Sequence, residues 1–162
     1  MSWRIRMAYR LSSLDWFARL GRRLVPLDLA VQRRTGGRIS LLRLAGLPAL
    51  LLTTTGRRTG RPHQVPLLYV PHPDGYLVAG SNWGQRHHPA WSTNLLATPE
   101  AVAEVRGRRI PVRARLLVGA ERDAVWPSLV AVWPAYDSYA ARSGRDIRVF
   151  LLEPRPGSDP DG

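Results

Sequence analysis

The chain of 162 residues contains no cysteine and no lysine. The first absence excludes disulfides, thiolate nucleophiles and thiolate metal sites, and it fits a reducing compartment. The second excludes a Walker-type phosphate lysine, a Schiff base and a lysine general base. Acidic residues are scarce too: 12 stand against 24 basic residues, every one of them arginine, for a net charge of +12. No apolar run reaches the length of a membrane span, and arginines interrupt the amino terminus too closely for a secretory leader, so a cytoplasmic protein is expected. There is no HExxH pair, His63 and His72 lie in turn-rich contexts, and the adjacent His87 and His88 point apart in regular structure. No metal site is expected, and Ser81 lacks the GxSxG elbow of a hydrolase.

What is present is a globular body. Hydrophobic residues make up 44% of the chain, and a domain of this length buries roughly 70% of its unfolded surface, so one core is expected. The excess of arginine predicts an anionic partner: nucleic acid, a membrane surface, or a small phosphorylated or carboxylated ligand. Leu14, Phe17, Leu20, Leu24, Leu27 and Val31 recur at helical spacing within a basic segment, 1–35, with an interruption or kink expected near Pro26. Arg19, Arg22, Arg23, Arg33 and Arg34 fall largely off that stripe. Such a helix either packs on the core, closes over a ligand site, or rests on an anionic membrane.

Beyond Gly36-Gly37 the period changes to that of strands. Segments 50–55, 65–70, 76–81, 101–106, 110–118 and 147–152 are short, aliphatic and bounded by Gly, Pro or Asp. Two helical stretches interrupt them. One starts near Pro89 and carries Trp91, Asn94 and Leu95; the other, 119–146, is divided at Pro127 and Pro134. The pattern predicts an α+β domain over 36–154, a small barrel of about six mainly antiparallel strands flanked by helices. "EPRPGSDPDG" reads as a solvated tail, disordered over 155–162.

The turn "TTTGRRTGRP" between two strand-like runs combines Gly56 and Gly60 with Arg57, Arg58 and Arg61 and with Thr55 and Thr59. Glycine permits a tight turn that brings backbone N–H groups to a ligand, and guanidinium forks suit phosphate or carboxylate. The turn is therefore an anion cradle or a solvated hairpin loop, and on its own residues it remains either.

Its neighbours carry a pattern. "LLTTTGRRTGRPHQVPLLYV", "GYLVAGSNWGQRHHPAWSTNLLATPE" and the segment from "VRGRRIPV" to "RVFLLEP" follow one another in an order that closely resembles the deazaflavin-dependent nitroreductase family over about 36–154. The resemblance implies a split β-barrel that binds coenzyme F420, a deazaflavin with a phosphate and an oligoglutamate tail, in preference to FMN. It implies that the turn, with His63, meets the anionic end, while Pro66, Leu67, Ser81, Asn82, Trp83, Gly84, Trp91 and Asn94 shape the ring site. Tyr136 and Tyr139, with Ser81 and Tyr69, would serve hydride transfer to an electrophilic acceptor such as a quinone, enone or nitroaromatic compound. Trp133 stands where some relatives carry a tyrosine, and His63 where relatives commonly carry a basic residue, which implies an altered acceptor pocket and a pH-dependent contact. The alternatives from another class are a noncatalytic F420 carrier and a basic protein binding nucleic acid or a membrane surface. Binding to nucleic acid would weaken steeply with salt and ignore deazaflavin.

Overall fold

The computed structural model of the chain describes residues 15–35, 40–44 and 46–156. Leu14 and the rest of the amino-terminal segment before it, Gly36-Gly37, and the tail from Gly157 lie outside the described residues, as do the side chains of Phe17, Arg19, Leu20 and Arg22. Helices α1 (Asp15–Arg34) and α2 (Leu41–Leu44) lead into β1 (Ala49–Thr55), β2 (Pro62–Leu68), β3 (Val70–His72) and β4 (Gly75–Ala79). A short 3₁₀ turn, Asn82–Gly84, and α3 (Ala90–Ala97) precede β5 (Glu100–Val105) and β6 (Arg108–Leu117). Helices α4 (Gly119–Val132) and α5 (Ala135–Ser143) then precede β7 (Val149–Pro154).

All the strands join one seven-stranded sheet in the order β2-β1-β5-β6-β7-β4-β3, and every pairing is antiparallel. The segment read as one strand over 65–70 is two. Tyr69 alone separates β2 from β3, although these strands form opposite edges of the sheet. Leu68 pairs with Ala49 on β1, whereas Val70 pairs with Leu77 on β4. A single residue spans only about 3.5 Å, so the sheet must curl until its two edges meet. The expected barrel thus has a direct topological cause.

Curling gives the sheet an inner and an outer face, and side-chain alternation fills both. Leu50, Leu52, Val78, Ala103, Val112, Phe150 and Leu152 pack inside with Tyr69, and Trp91 and Leu95 of α3 enter the same cluster. On the other face Leu77, Val149 and Leu151 pack against Leu129, Trp133, Tyr136 and Tyr139 of the α4–α5 region. The polar residues of β5 and β6 pair across strands: Glu100 lies opposite Arg113, with which it forms an ion pair, and Glu104 lies opposite Arg109.

The prolines divide the helices less than expected: α1 is not interrupted at Pro26 and α4 is not divided at Pro127, and only Pro134 separates α4 from α5. Of the apolar stripe of α1, Leu24 is 45% and Leu27 52% exposed and Val31 is half-buried, while Asp28 and Gln32 are buried. The inward polar face is viable because Gln32 donates to Asp28 at 2.7 Å and Ser40 donates to it at 3.2 Å. The helix lies against β2 and the 3₁₀ turn, where Arg33 donates to Gln64 at 3.0 Å.

Candidate active site

The arginine-rich turn is a closed loop hung on β1 and β2. Gly56 N–H donates to the Arg61 carbonyl at 2.8 Å, and Gly60 N–H donates to the Gly56 carbonyl at 2.7 Å. Gly60 takes φ +66°, in the left-handed region that favours glycine. A Cβ at Gly56 would meet the His63 ring and Thr59 Oγ1 at 2.7 Å, so those side chains would have to shift. Arg57, Arg58 and Arg61 are exposed. Among the described residues the ion pairs of arginine use Arg113, Arg115 and Arg122, and no carboxylate pairs with the arginines of the turn.

Asn94 joins this turn to α3. Its Oδ1 accepts from the Arg57 N–H at 3.1 Å, and its Nδ2 donates to Thr54 Oγ1 at 3.1 Å. Both Asn94 and Thr54 are buried, so the amide is a structural pin on the back of the turn. Near its start α3 holds the other half of the site. Arg148 donates to Ser92 and Thr93, each at 3.3 Å, and its carbonyl accepts the Gly80 N–H at 2.8 Å.

From Gly80 the chain leaves β4 through an unusual bend. Asn82, Trp83 and Gly84 have φ of 45°, 55° and 75°, a left-handed run that costs about 1–3 kcal/mol at each non-glycine residue. Gly84 N–H donates to the Ser81 carbonyl and Gln85 N–H to the Asn82 carbonyl. The N–H groups of Ser81, Asn82 and Trp83 and the Ser81 hydroxyl have no hydrogen-bond partner among the described residues. The Asn82 side chain is engaged, donating to the His87 carbonyl at 3.1 Å. Gly84 is buried against α5, and a Cβ there would meet Arg142 at 2.9 Å.

The aromatic residues divide between the two faces of the sheet. Tyr136 and Tyr139 are buried in the outer cluster, with Trp83 at 6.4 Å from Tyr139 and Trp126 at 6.2 Å from Tyr136 between ring centroids. Burial, and secondarily the neighbouring Tyr139, raises the Tyr136 phenol above its ordinary value, so it stays protonated as a hydrogen-bond donor. Tyr69 instead lies in the inner cluster, edge-on to Tyr76 at 5.4 Å. Leu67 packs beside that cluster, and Trp91 packs within it against Phe150 at 5.8 Å. Pro66 is buried on β2 opposite Leu51. Asn94 thus ties the arginine turn to α3, which also holds Arg148 and through it Gly80, while Tyr139 lies against Trp83 of the bend and Tyr136 packs in the same outer cluster. The structure does not bring Tyr69 or Trp91 to that cluster. Thr54, His88, Arg145 and Arg148 are the participants that sequence pattern did not single out.

With the geometry in hand, comparison with known proteins assigns the family. The model of the F420H(2)-dependent quinone reductase family matches residues 25–154, and the chain belongs to that family. It is 32% identical over 149 residues to an F420H(2)-dependent quinone reductase of Mycobacterium tuberculosis, covering 86% of this chain and 97% of that one. Among solved structures it resembles an F420-H2 dependent reductase (FDR-A), with TM-score 0.61 and 34% identity over 65% of this chain and 94% of that one. A domain-swapped dimer matches with TM-score 0.64 and 33% identity over 86% of this chain and 98% of that one.

Two outcomes follow from these contacts. Replacing Asn94 by Leu leaves the Arg57 N–H and Thr54 hydroxyl without their partner, and the expected loss is roughly 1–3 kcal/mol in denaturant unfolding; an unchanged unfolding midpoint would remove the pin from the account. The second concerns His88, whose Nδ1 lies 3.0 Å from Arg145 Nη1. A guanidinium only donates, so Nδ1 accepts and the ring is neutral. Burial, then Arg148 and Arg145, hold His88 below its ordinary value of 6.5. The unfolded chain binds the proton first, so the stabilising contribution is complete above about pH 6.5 and lost as pH falls below it. The thermal midpoint of the wild type should drop between pH 7.5 and 5.5 by more than that of His88→Asn, whereas parallel pH curves would show that His88 is not held neutral.

Proposed function

We propose that this protein is an F420H2-dependent oxidoreductase that reduces quinones, with other electrophilic acceptors such as enones and nitroaromatic compounds in its range. The observation that carries the reading is the arginine turn: Arg57, Arg58 and Arg61 are exposed without a carboxylate partner among the described residues. Asn94 pins this turn to the helix that also anchors the 81–84 bend. The residues fit the cofactor's chemistry. Guanidinium groups suit a phosphate and a carboxylate tail, and the unpaired N–H groups at Ser81, Asn82 and Trp83 suit the carbonyl edge of a ring. FMN, which lacks the oligoglutamate tail, leaves part of that charge unused.

Reduced F420, when bound, supplies a hydride, and a quinone then needs one proton at the oxygen that becomes anionic. This chain's residues have the remaining tasks. Arg57, Arg58 and Arg61, with Thr55, Thr59 and His63, bind the anionic end; Ser81 to Gly84 orient the ring; the outer-face cluster around Trp83, Trp126 and Trp133 excludes water. Tyr136 donates a hydrogen bond, and then the proton, to the acceptor oxygen, with Ser81 and Tyr139 assisting. Tyr69 takes no part in this scheme, because it packs the inner cluster. Trp133, buried with Tyr136, narrows the acceptor side.

Among the described residues no helix is long and apolar enough to cross a membrane. Exposed Leu24 and Leu27 on α1 support peripheral contact with an anionic membrane surface from the cytoplasmic side. Nucleic acid is not the partner in this reading. A noncatalytic carrier would bind F420 yet leave F420H2 unoxidised in the presence of a quinone.

Steady-state oxidation of F420H2 with a soluble quinone tests the assignment through Tyr136→Phe. The variant should lose about 100-fold or more in kcat with F420 affinity unchanged. Turnover near the wild-type rate would exclude Tyr136 as proton donor, and wild-type protein that oxidises no F420H2 with any quinone would reduce the protein to a carrier.

A further inference from the structure

Arg145 lies just after α5, where Gly144 at φ +64° ends the helix in the left-handed conformation. That ending turns the next side chain back toward the segment that leaves β4. Nε donates to the Gln85 carbonyl at 3.1 Å, and Nη1 donates to the Gly80 carbonyl at 3.2 Å and meets His88 Nδ1 at 3.0 Å. Nη2 donates to the Gly80 carbonyl at 3.2 Å and to the Ser81 carbonyl at 3.0 Å. A guanidinium has five N–H groups, and these contacts use its full set. Its partners stand on both sides of the left-handed run Asn82–Gly84, and Asn82 braces the same span through the His87 carbonyl.

We infer that Arg145 is a positioning residue for the ring site, fixing both ends of the 80–88 segment so that the N–H groups of Ser81, Asn82 and Trp83 are held unpaired and ready for a ligand. A left-handed run with open amides relaxes unless its ends are fixed, and the Arg145 side chain contacts both ends. Arg148 acts alongside it from β7's side, through the Gly80 N–H and α3. Lysine keeps the charge but cannot reproduce a planar fork that reaches separate carbonyls.

The inference rests on the F420 reading of this bend, and the test separates the two. F420 fluorescence titrations and amide hydrogen exchange are compared for the wild type and Arg145→Lys. The variant should bind F420 about ten-fold or more weakly, with its KM for F420H2 raised in proportion and kcat at saturation within about three-fold of the wild type. Exchange should quicken at Gly84 and Gln85, whose N–H groups close the bend, and stay unchanged in the strands. An affinity within about two-fold of the wild type, or unchanged exchange at Gly84 and Gln85, overturns the inference. Wild-type protein that does not bind F420 overturns the cofactor reading instead, while the exchange result still decides whether Arg145 holds the bend. Should Arg145→Lys not fold, His88→Leu removes one contact of the set; the expected loss is about two- to three-fold in F420 affinity, and no loss overturns the inference.

Discussion

Tyr69 is the constraint on which the architecture depends. It is the one residue between β2 and β3, the two edges of the sheet, and its N–H donates to the Pro48 carbonyl at 3.0 Å just before β1. Such a short connection forbids an open sheet. Once the edges meet, the inner face must be filled from the strands themselves, and the small side chains Ala101, Ala103 and Ala114 leave room inside for Trp91, Phe150 and Tyr69. The tyrosine that family resemblance placed among the reactive residues is thus occupied in closing the barrel.

Closure leaves one short helix, α3, in contact with both halves of the site. Asn94 grips the arginine turn from behind, and Ser92 and Thr93 hold Arg148, whose carbonyl fixes Gly80. The helix is only eight residues long, too short to be stable by itself in water. Its burial in the barrel through Trp91 and Leu95 provides the stability, and its polar side chains carry the positional information. Strain at 82–84 and exposed charge at 57–61 then become properties of a rigid frame. A flexible loop would relax the first and scatter the second.

Much of this was legible in the chain. Strands such as 101–105 and 110–116 announced themselves as short aliphatic segments bounded by Gly, Pro or Asp. The glycine-arginine turn was legible as a connection between two strands, because Gly56 and Gly60 interrupt the strand pattern. The split at Tyr69 was not, since a run of apolar residues gives no sign of where pairing passes from one partner strand to another. The burial of Asp28 and Gln32 on α1 was not legible for a related reason: they become inward residues only when Ser40 and one another satisfy them, and periodicity does not register such partners. Arg145 was one arginine among many, and only the folded chain shows that its donors converge on the segment after β4.

Charge ties these observations to function. On β5 and β6 arginine lies opposite glutamate across the strands, so much of that surface charge is locally compensated, whereas the turn at 57–61 carries its charge outward. In the proposed function this turn holds the anionic end of a deazaflavin. The most direct measurement compares, by fluorescence titration, the affinity of the wild-type protein for F420 with that for the same deazaflavin riboside lacking the phosphate and glutamate tail. The account predicts at least about a hundred-fold weaker binding of the truncated compound, equivalent to one or two charge-assisted contacts, and a smaller difference at high salt. Equal affinities would contradict it, and would mean that the arginines of the turn serve something other than the cofactor.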